Sequence, residues 1–174
     1  MTGRSSSIAG SKECLPLLRA TAFVVKACGY TPRCALEADS ATEVRVEKIL
    51  RIISECGLSI HDISRTELDR KSKLPRFNMP FELGLFLRAA RLGGRRHQRK
   101  GALILDVEKF RYQKYLSDIA GQDIRAHAND PAATIGAIRD WLNAQGIGNQ
   151  VLSGKPALVA QYSRFQKQLP IMLS

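Results

Sequence analysis

Two short stretches carry most of the side chains that could do chemistry. His61-Asp62-Ile63-Ser64 ends a run of apolar residues, and Asn78-Met79-Pro80-Phe81-Glu82 opens a later helical pattern. At about 100° per residue, Glu82 falls on the apolar side of that helix, opposite Arg88 and Arg91. A carboxylate in the first turn of such a helix can act as a reacting group. It can equally bind the free backbone N–H groups at the helix start and stabilise the macrodipole.

The elements that must position these side chains alternate between strand and helix. Apolar residues at helical spacing predict helices, and short apolar runs bounded by turn residues predict strands. We expect helices over 13–28, from Thr42 to Gly57, over 80–92, around 112–119, from Pro131 through Leu142, and over 158–169 up to Pro170. We expect strands over 31–37, 58–63, 102–105 and 124–127. This alternation predicts a parallel sheet covered by helices on both faces.

The carboxyl ends of parallel strands are where such sheets bind ligands. Asp62 and Ser64 lie at the end of one predicted strand, and Asp106 lies at the end of the next. Glu82 belongs to the helix that connects these two strands. We therefore expect the carboxylate of Glu82 to be partly buried in a cleft shared with Asp62 or Ser64.

Length and composition indicate one globular domain. The chain has 174 residues, of which 44% are hydrophobic and 25% charged, which is ordinary for a soluble protein with a full core. We expect an irregular tail over 1–12, an α/β domain over 13–145, and a linker and helix over 146–174 that pack on the same domain. Neither a membrane span nor a secretory signal is evident in the sequence. Four cysteines without C-x-x-C spacing predict reduced thiols in a cytoplasmic protein and no metal site.

The net charge of +11 favours negatively charged partners. Six Arg and Lys side chains fall within residues 88–100, and a second basic group covers residues 70–76. Such groups attract nucleic acid or phosphorylated small molecules. Because they contain few aromatic residues for base stacking, we expect 88–100 to be a solvated helix end and loop that steers anionic ligands. Nucleic-acid binding through 88–100 remains the alternative.

Longer runs of the sequence resemble a known group of proteins. The runs are Ser59–Arg65, Leu74–Gly84, Gly29–Arg33 and Ser117–Ile124, the last followed by His127. They resemble an uncharacterised bacterial family that looks related to nucleoside 2-deoxyribosyltransferase-like and TIR-like domains. The resemblance covers about residues 13–145, and the run Arg-Phe-Asn-Met-Pro-Phe-Glu-Leu-Gly is its most specific part.

The resemblance implies chemistry on an N-glycosidic bond. In those superfamilies a glutamate at this point of the fold cleaves or exchanges the bond of a deoxynucleoside or of NAD. Carried onto this chain, Glu82 would be the nucleophile or would stabilise an oxocarbenium-like centre. The resemblance suggests no cofactor; NAD would enter as a substrate.

The same resemblance suggests substrate-binding residues. Asp62, Ser64 and Asn78 would hold the base or ribose by hydrogen bonds, and Arg65 and Arg76 would meet phosphates. The simpler alternatives are that Asp62 caps a turn and that the arginines pair with acidic neighbours.

One departure from the family concerns the first strand. We expect a flavodoxin-like three-layer sandwich with a mostly parallel sheet of about four to five strands in the order 2-1-3-4-5. The place of its central first strand is held by Ile8-Ala9-Gly10-Ser11-Lys12, preceded by a Ser-rich tail, so we expect that strand to be weak or missing. Strands 31–37 and 58–63 would then pair directly or leave a gap. The chain would be truncated, start at the wrong Met or be a degenerate member, and it would be poorly stable or prone to self-association.

Three functions follow from these observations. The first is an enzyme that hydrolyses or exchanges the N-glycosidic bond of NAD or another nucleotide. The second is a nucleotide-sensing module of the same shape that binds without turnover. The third is a basic nucleic-acid-binding or scaffold protein.

Overall fold

The computed structural model describes residues 4–6, 15–34, 44–66, 68, 73–146 and 152–172, with only the main chain described for 4–6 and 170–172. The described chain alternates between strands and helices, as predicted. Their bounds are β1 Arg4–Ser6, α1 Leu15–Ala27, β2 Thr31–Arg33, α2 Arg45–Glu55, β3 Leu58–Asp62, α3 Asn78–Leu92, β4 Gly101–Asp106, β5 Asp123–Ala126, α4 Pro131–Ala144 and α5 Lys155–Met172.

The strands form one parallel sheet in the order β2-β1-β3-β4-β5, which confirms the predicted 2-1-3-4-5 arrangement. Asp62 of β3 lies beside Leu105 of β4, and Asp106 of β4 lies beside Ala126 of β5. The carboxyl ends of these three strands therefore meet at one edge of the sheet. This edge gathers the polar residues that end each strand.

The first strand is weak, as expected, but it is not missing. Only Arg4–Ser6 forms β1, and these three residues pair with β2 on one side and with β3 on the other. The expectation that β2 and β3 pair directly or leave a gap is therefore wrong, as is an irregular tail at 4–6. Ladder hydrogen bonds join main-chain groups, so a polar segment can fill a position that would otherwise leave two strand edges unpaired.

Helices cover both faces of the sheet. On one face, α1, α4 and α5 enclose the main core with alternate residues of β3 and β4, among them Leu58, Ile60, Leu103 and Leu105. On the other face, α2 and α3 pack against the opposite set of side chains, which includes Ala102 and Ile104. This is the three-layer sandwich that the sequence predicts. In the described part of the chain, no helix combines the length and the apolar character that crossing a bilayer requires.

Several helix bounds differ from the prediction, and α5 for example begins at Lys155 rather than at 158. α3 begins at Asn78 rather than at Pro80, so Glu82 is its fifth residue and lies beyond the first turn. α2 begins at Arg45 with Val44 as its N-cap residue, and the predicted cap Thr42 lies outside the described residues. α5 runs through Pro170 to Met172, so the prediction that Pro170 ends it is also wrong.

The helix predicted around residues 112–119 is instead two 3₁₀ turns, Arg111–Lys114 and Ser117–Ile119. Tyr115 and Leu116 between them have extended φ angles of −141° and −149°, which an α-helix does not accommodate. The apolar spacing that suggested a helix places Tyr112 and Ile119 in the core beneath α3. Periodicity therefore identified the buried side chains but not the backbone.

The basic segment 88–100 is exposed at most positions, as predicted. Its five arginines, at 88, 91, 95, 96 and 99, are all exposed. Lys100 is the exception, because its Nζ donates to the carbonyl oxygens of Ile53 (2.6 Å) and Cys56 at the end of α2. It also lies 5.5 Å from the ring centroid of Phe86, and burial lowers its pKa. Lys100 thus caps α2 and is not part of the solvated loop.

Candidate functional site

Glu82 occupies a core position of α3. The buried residues of this helix are Met79, Glu82, Leu83 and Phe86, which form a single apolar stripe interrupted by one carboxylate. Glu82 is 2% exposed. Its predicted place on the apolar face is therefore confirmed, and its burial is nearly complete rather than partial.

A cation from the neighbouring helix faces this carboxylate. Arg45, the first residue of α2, places Nη2 3.8 Å from Glu82 Oε1. The side chain of Arg45 is 54% exposed, so the ion pair joins a buried acid to a guanidinium that solvent reaches. Because Glu82 is the fifth residue of α3, its carboxylate is less suited to capping that helix than a first-turn acid. Arg45 therefore brings a solvent-exposed positive charge to within ion-pair distance of the buried carboxylate.

Asp62 is held at the end of β3 by two hydrogen bonds. The backbone N–H of Ser64 donates to Asp62 Oδ1 (3.0 Å), and His127 Nε2 lies 3.4 Å from the same oxygen. Burial alone would raise the pKa of Asp62, but the hydrogen bonds from His127 and Ser64 outweigh it and lower this pKa. Asp62 therefore does close a turn, as the simpler alternative held, and it also fixes His127.

His127 is fully buried just after β5, and both of its ring nitrogens are engaged. The backbone N–H of Asn129 donates to Nδ1 (3.0 Å), so the ring proton lies on Nε2 and points to Asp62. The turn that supplies this N–H is strained, since Ala128 and Asn129 have φ angles of +49° and +57°. His127 thus positions Asp62 and is not placed to exchange a proton with a ligand.

Asp106 is the centre of a second network, on the α3 side of the sheet. Its Oδ1 accepts from Arg111 Nε (2.8 Å) and Nη2 (2.7 Å), and its Oδ2 accepts from the Tyr115 hydroxyl (2.9 Å). Arg111 Nη2 also donates to the carbonyl oxygen of Ser64 (2.6 Å). Burial and the bond to Asp106 raise the pKa of Tyr115. The network ties the segment after β3 to the segment after β4.

The other predicted site residues lie along the connection from β3 to α3. Ser64 is buried and contributes its backbone N–H and carbonyl to the two networks. Arg65 is half-buried, whereas Arg76 and Asn78 are exposed. Strand alternation directs Asp62 to the α4 face, where it meets His127, while Glu82 belongs to α3 on the other face. A cleft shared by Glu82 with Asp62 or Ser64 stays a prediction.

Four residues of the site were missed by sequence reasoning. Arg45 and His127 contact the predicted acids, and Arg111 and Tyr115 hold Asp106. The first pair joins residues that are distant in sequence, so no local pattern reveals it. Arg111 directly precedes the helix predicted around 112–119, and Tyr115 is one of the apolar positions that predict it, so the sequence pattern does not indicate either residue as a partner of Asp106.

Two exposed aromatic side chains flank the start of α3. Phe77 is 64% exposed and Phe81 is 55% exposed, and their four-residue separation puts them on the same side of the helix. Phe81 directly precedes Glu82. Large exposed aromatic rings are unusual on a protein surface and commonly mark a binding site.

Buried acids, exposed aromatic rings and cations together suit a charged, ring-containing ligand. Carboxylates can stabilise a developing positive charge, aromatic faces can stack on a planar ring, and arginines can bind phosphate. Within the described residues, no three His, Cys, Asp or Glu side chains cluster as metal ligands would.

Comparison of the sequence with models of known protein families gives no match, and comparison with curated protein sequences gives no significant match either. The relation to TIR-like and deoxyribosyltransferase-like domains therefore stays a prediction from the residues themselves.

Proposed function

We propose that this chain binds a nucleotide at the carboxyl edge of its sheet and cleaves the N-glycosidic bond, with Glu82 as the catalytic carboxylate. The observation that carries the proposal is the burial of Glu82 within the apolar stripe of α3, facing a half-exposed arginine. Burying a carboxylate costs free energy that an apolar side chain at the same position would not. A role in chemistry explains a glutamate at this position better than a role in folding does.

The reaction that fits this carboxylate passes through an oxocarbenium-like centre. As the bond between C1′ and the base nitrogen breaks, both electrons leave with the nitrogen and positive charge develops on the ribose. A carboxylate in a low-dielectric setting stabilises that charge or attacks C1′ directly. Water then completes the hydrolysis, placing its hydroxyl on C1′ and releasing a proton to solvent.

The histidines of the site favour a leaving group that needs no proton. Both nitrogens of His127 are engaged, and burial lowers the pKa of His61 to about 4, so His61 is neutral at pH 7. Neither residue is suited to protonate a departing base. The nicotinamide of NAD is bonded as a pyridinium and leaves as a neutral amide without protonation, so NAD suits this site better than a purine nucleoside.

The remaining predicted residues supply recognition. Phe77 and Phe81 offer exposed faces for the planar base. In this proposal Ser64 and Asn78 bind the base or ribose, and Arg65 and Arg76 bind the phosphates. Asp62, predicted to bind the ligand too, faces α4 and is proposed to hold the backbone of Ser64 in place. The guanidinium of Arg45 leaves Glu82 for a substrate phosphate, which gives the ribose access to the carboxylate.

The experiment is to incubate the purified chain with NAD, NADP, AMP and deoxynucleosides and to separate the products by chromatography. Release of nicotinamide from NAD, faster than release of adenine from AMP, is the expected result. Release of base only from deoxynucleosides would reject the nucleotide assignment.

A second candidate, a nucleotide-sensing module, is favoured by one observation: the side chain of Glu82 is only 2% exposed. For such a module, calorimetry would show saturable binding of NAD or another mononucleotide while chromatography shows no released base. The substitution Phe81→Ala should weaken that binding by about tenfold, since loss of one stacked ring costs about 1–3 kcal/mol. Equal binding by the wild-type and substituted chains would exclude stacking on Phe81.

A third candidate, nucleic-acid binding, is favoured by the five exposed arginines of the 88–100 segment. Binding of that kind falls steeply with salt concentration, because each phosphate contact releases counterions. Titration of a labelled duplex at two salt concentrations separates it from mononucleotide binding, which is much less sensitive to salt.

A further inference from the structure

An open apolar groove lies between α1 and α5, in the helix layer on the other face of the sheet from α3 and Glu82. Its volume is about 620 Å³. Phe23 of α1 and Phe165 and Leu169 of α5 are among its lining residues, and each is only partly buried. The rings of Phe23 and Phe165 lie 5.6 Å apart, so the groove has a continuous aromatic surface.

Two cations border the groove on its α1 side. Arg19 and Lys26 are both exposed, and their seven-residue separation corresponds to two helical turns, or about 10 Å along α1. Among the described residues that line the groove, none is acidic. The groove therefore combines an apolar surface with positive charge at two separated points.

We propose that this groove binds an amphipathic helix of a partner protein, through an apolar face bordered by acidic residues. A helix two turns long presents three apolar anchors at i, i+3 or i+4, and i+7, which matches the two-turn spacing of Arg19 and Lys26 along α1. Carboxylates two turns apart on such a helix would meet both Arg19 and Lys26. A single lipid headgroup would meet only one of them.

The charge of the chain also disfavours a second copy of itself as the occupant. With a net charge of +11, two copies repel one another, whereas an acidic helix is attracted. Self-association through the groove is therefore an outcome that would contradict the proposal.

The test uses the full chain and two labelled helical peptides of about 15 residues, with leucine at the three anchor positions. One peptide carries glutamates two turns apart beside the leucines, and the other carries lysines there. Fluorescence anisotropy gives the dissociation constants. We expect the glutamate peptide to bind at least about tenfold more tightly than the lysine peptide.

The decisive comparison reverses the charges of the groove. The double variant R19E/K26E should lose about tenfold in affinity for the glutamate peptide and gain affinity for the lysine peptide. The matched control R95E/R99E makes the same change of charge on exposed residues of another element and should bind like the wild type. Thermal melts of both variants check that the fold is intact.

Three results would overturn the proposal. Equal loss of affinity in the two double variants would mean non-specific attraction to a basic protein. Displacement of the glutamate peptide by laurate, with laurate binding abolished by R19E/K26E, would identify an anionic lipid as the occupant. A dimer in light scattering that disappears in R19E/K26E would identify a second copy.

Discussion

The buried acids Asp62, Glu82 and Asp106 differ in the kind of partner that balances their charge. Asp106 is enclosed by Arg111 and Tyr115, and Asp62 is fixed by His127 and a backbone N–H. Glu82 faces a guanidinium that is half in solvent. The first two acids are paired with groups that are themselves mostly buried, whereas the cation that faces Glu82 is accessible to solvent and to a ligand. This difference is why we assign the chemistry to Glu82.

The Asp106 network buries a carboxylate together with its arginine partner, so loss of either charge leaves the other without a counter-charge. The substitution Asp106→Asn should lower the free energy of unfolding by about 3 kcal/mol, because Arg111, itself 16% exposed, then lacks its buried counter-charge. Asp140→Asn removes a surface ion pair with Arg139 and should cost less than about 0.5 kcal/mol. Urea unfolding of both variants measures the difference. Similar losses in the two variants would show that the Asp106 network does not stabilise the fold.

His61 makes folding sensitive to acid. Its ring is buried against Phe86, with a pKa of about 4 in the folded chain against about 6.5 when unfolded. The contribution of His61 is complete above pH 6.5. Between pH 6.5 and 4 the unfolded chain binds a proton that the folded chain does not, so stability falls by about 3 kcal/mol over this interval.

Measuring the free energy of unfolding against pH for the wild type and His61→Phe tests this prediction. The substituted chain should show a shallower slope between pH 6.5 and 4, since phenylalanine does not titrate. Replacing the buried Ile104 by Val, which removes no titrating group, serves as the control and should keep the wild-type slope. Identical slopes for the wild type and His61→Phe would contradict the assignment.

At the scale of elements, the turn from β5 to α4 has a strained backbone and holds the ring of His127 through the N–H of Asn129. Ala128 has a φ of +49°, a conformation that costs an alanine roughly 1 kcal/mol and a glycine almost nothing. The substitution Ala128→Gly should therefore raise the unfolding free energy by about 0.5–1 kcal/mol. Ala160→Gly, on the exposed side of α5, should lower it by about 1 kcal/mol. Thermal melts that show destabilisation at both positions would refute strain at Ala128.

The local sequence pattern predicted an element well where the same short stretch determines both the backbone conformation and the buried side chains. The Asp130-Pro131 start of α4 is one example: Asp130 accepts hydrogen bonds from Ala132 and Ala133, and Pro131 is the first helical residue. The apolar pattern of α3 likewise predicted that Glu82 lies on the buried side of the helix. In both cases one short stretch of sequence contains the pattern on which the prediction rests.

Elements that depend on distant partners were not predictable in this way. Strand β1 exists because β2 and β3 each present a free edge to it, not because of its own side chains. Lys100 caps α2, an element more than 40 positions earlier in the chain. The pairing of Asp62 with His127 spans 65 positions. Tertiary contacts of this kind leave no periodic trace in the sequence.

At the scale of the whole molecule, the residues that give the chain its positive surface charge are not the residues that form its core. The exposed arginines 95, 96 and 99 contribute to the net charge of +11, while the core lies in the helix layers on the two faces of the sheet. Replacing all three by Gln should reduce the salt-dependent binding of polyanions and leave the melting temperature within about 2 °C of the wild type. A large drop in melting temperature would mean that this turn stabilises the fold.

The two proposed binding sites lie in helix layers on opposite faces of the sheet. Glu82 and Arg45 lie in the α2–α3 layer, whereas the groove bordered by Arg19 and Lys26 lies in the layer of α1 and α5. Binding at one face can therefore be removed without touching the other. The charge-reversed groove variant should keep the nucleotide chemistry of the wild type.

The central claim is that Glu82 supplies the catalytic carboxylate. The most direct measurement is the rate of nicotinamide release from NAD by the wild type, by Glu82→Gln, and by the exposed control Glu47→Gln. The account predicts a loss of about a thousandfold for Glu82→Gln with an unchanged fold, because the amide keeps the shape of the side chain and removes its charge, and no loss for Glu47→Gln. Release that proceeds equally fast in Glu82→Gln, or no release by the wild-type chain, would contradict it.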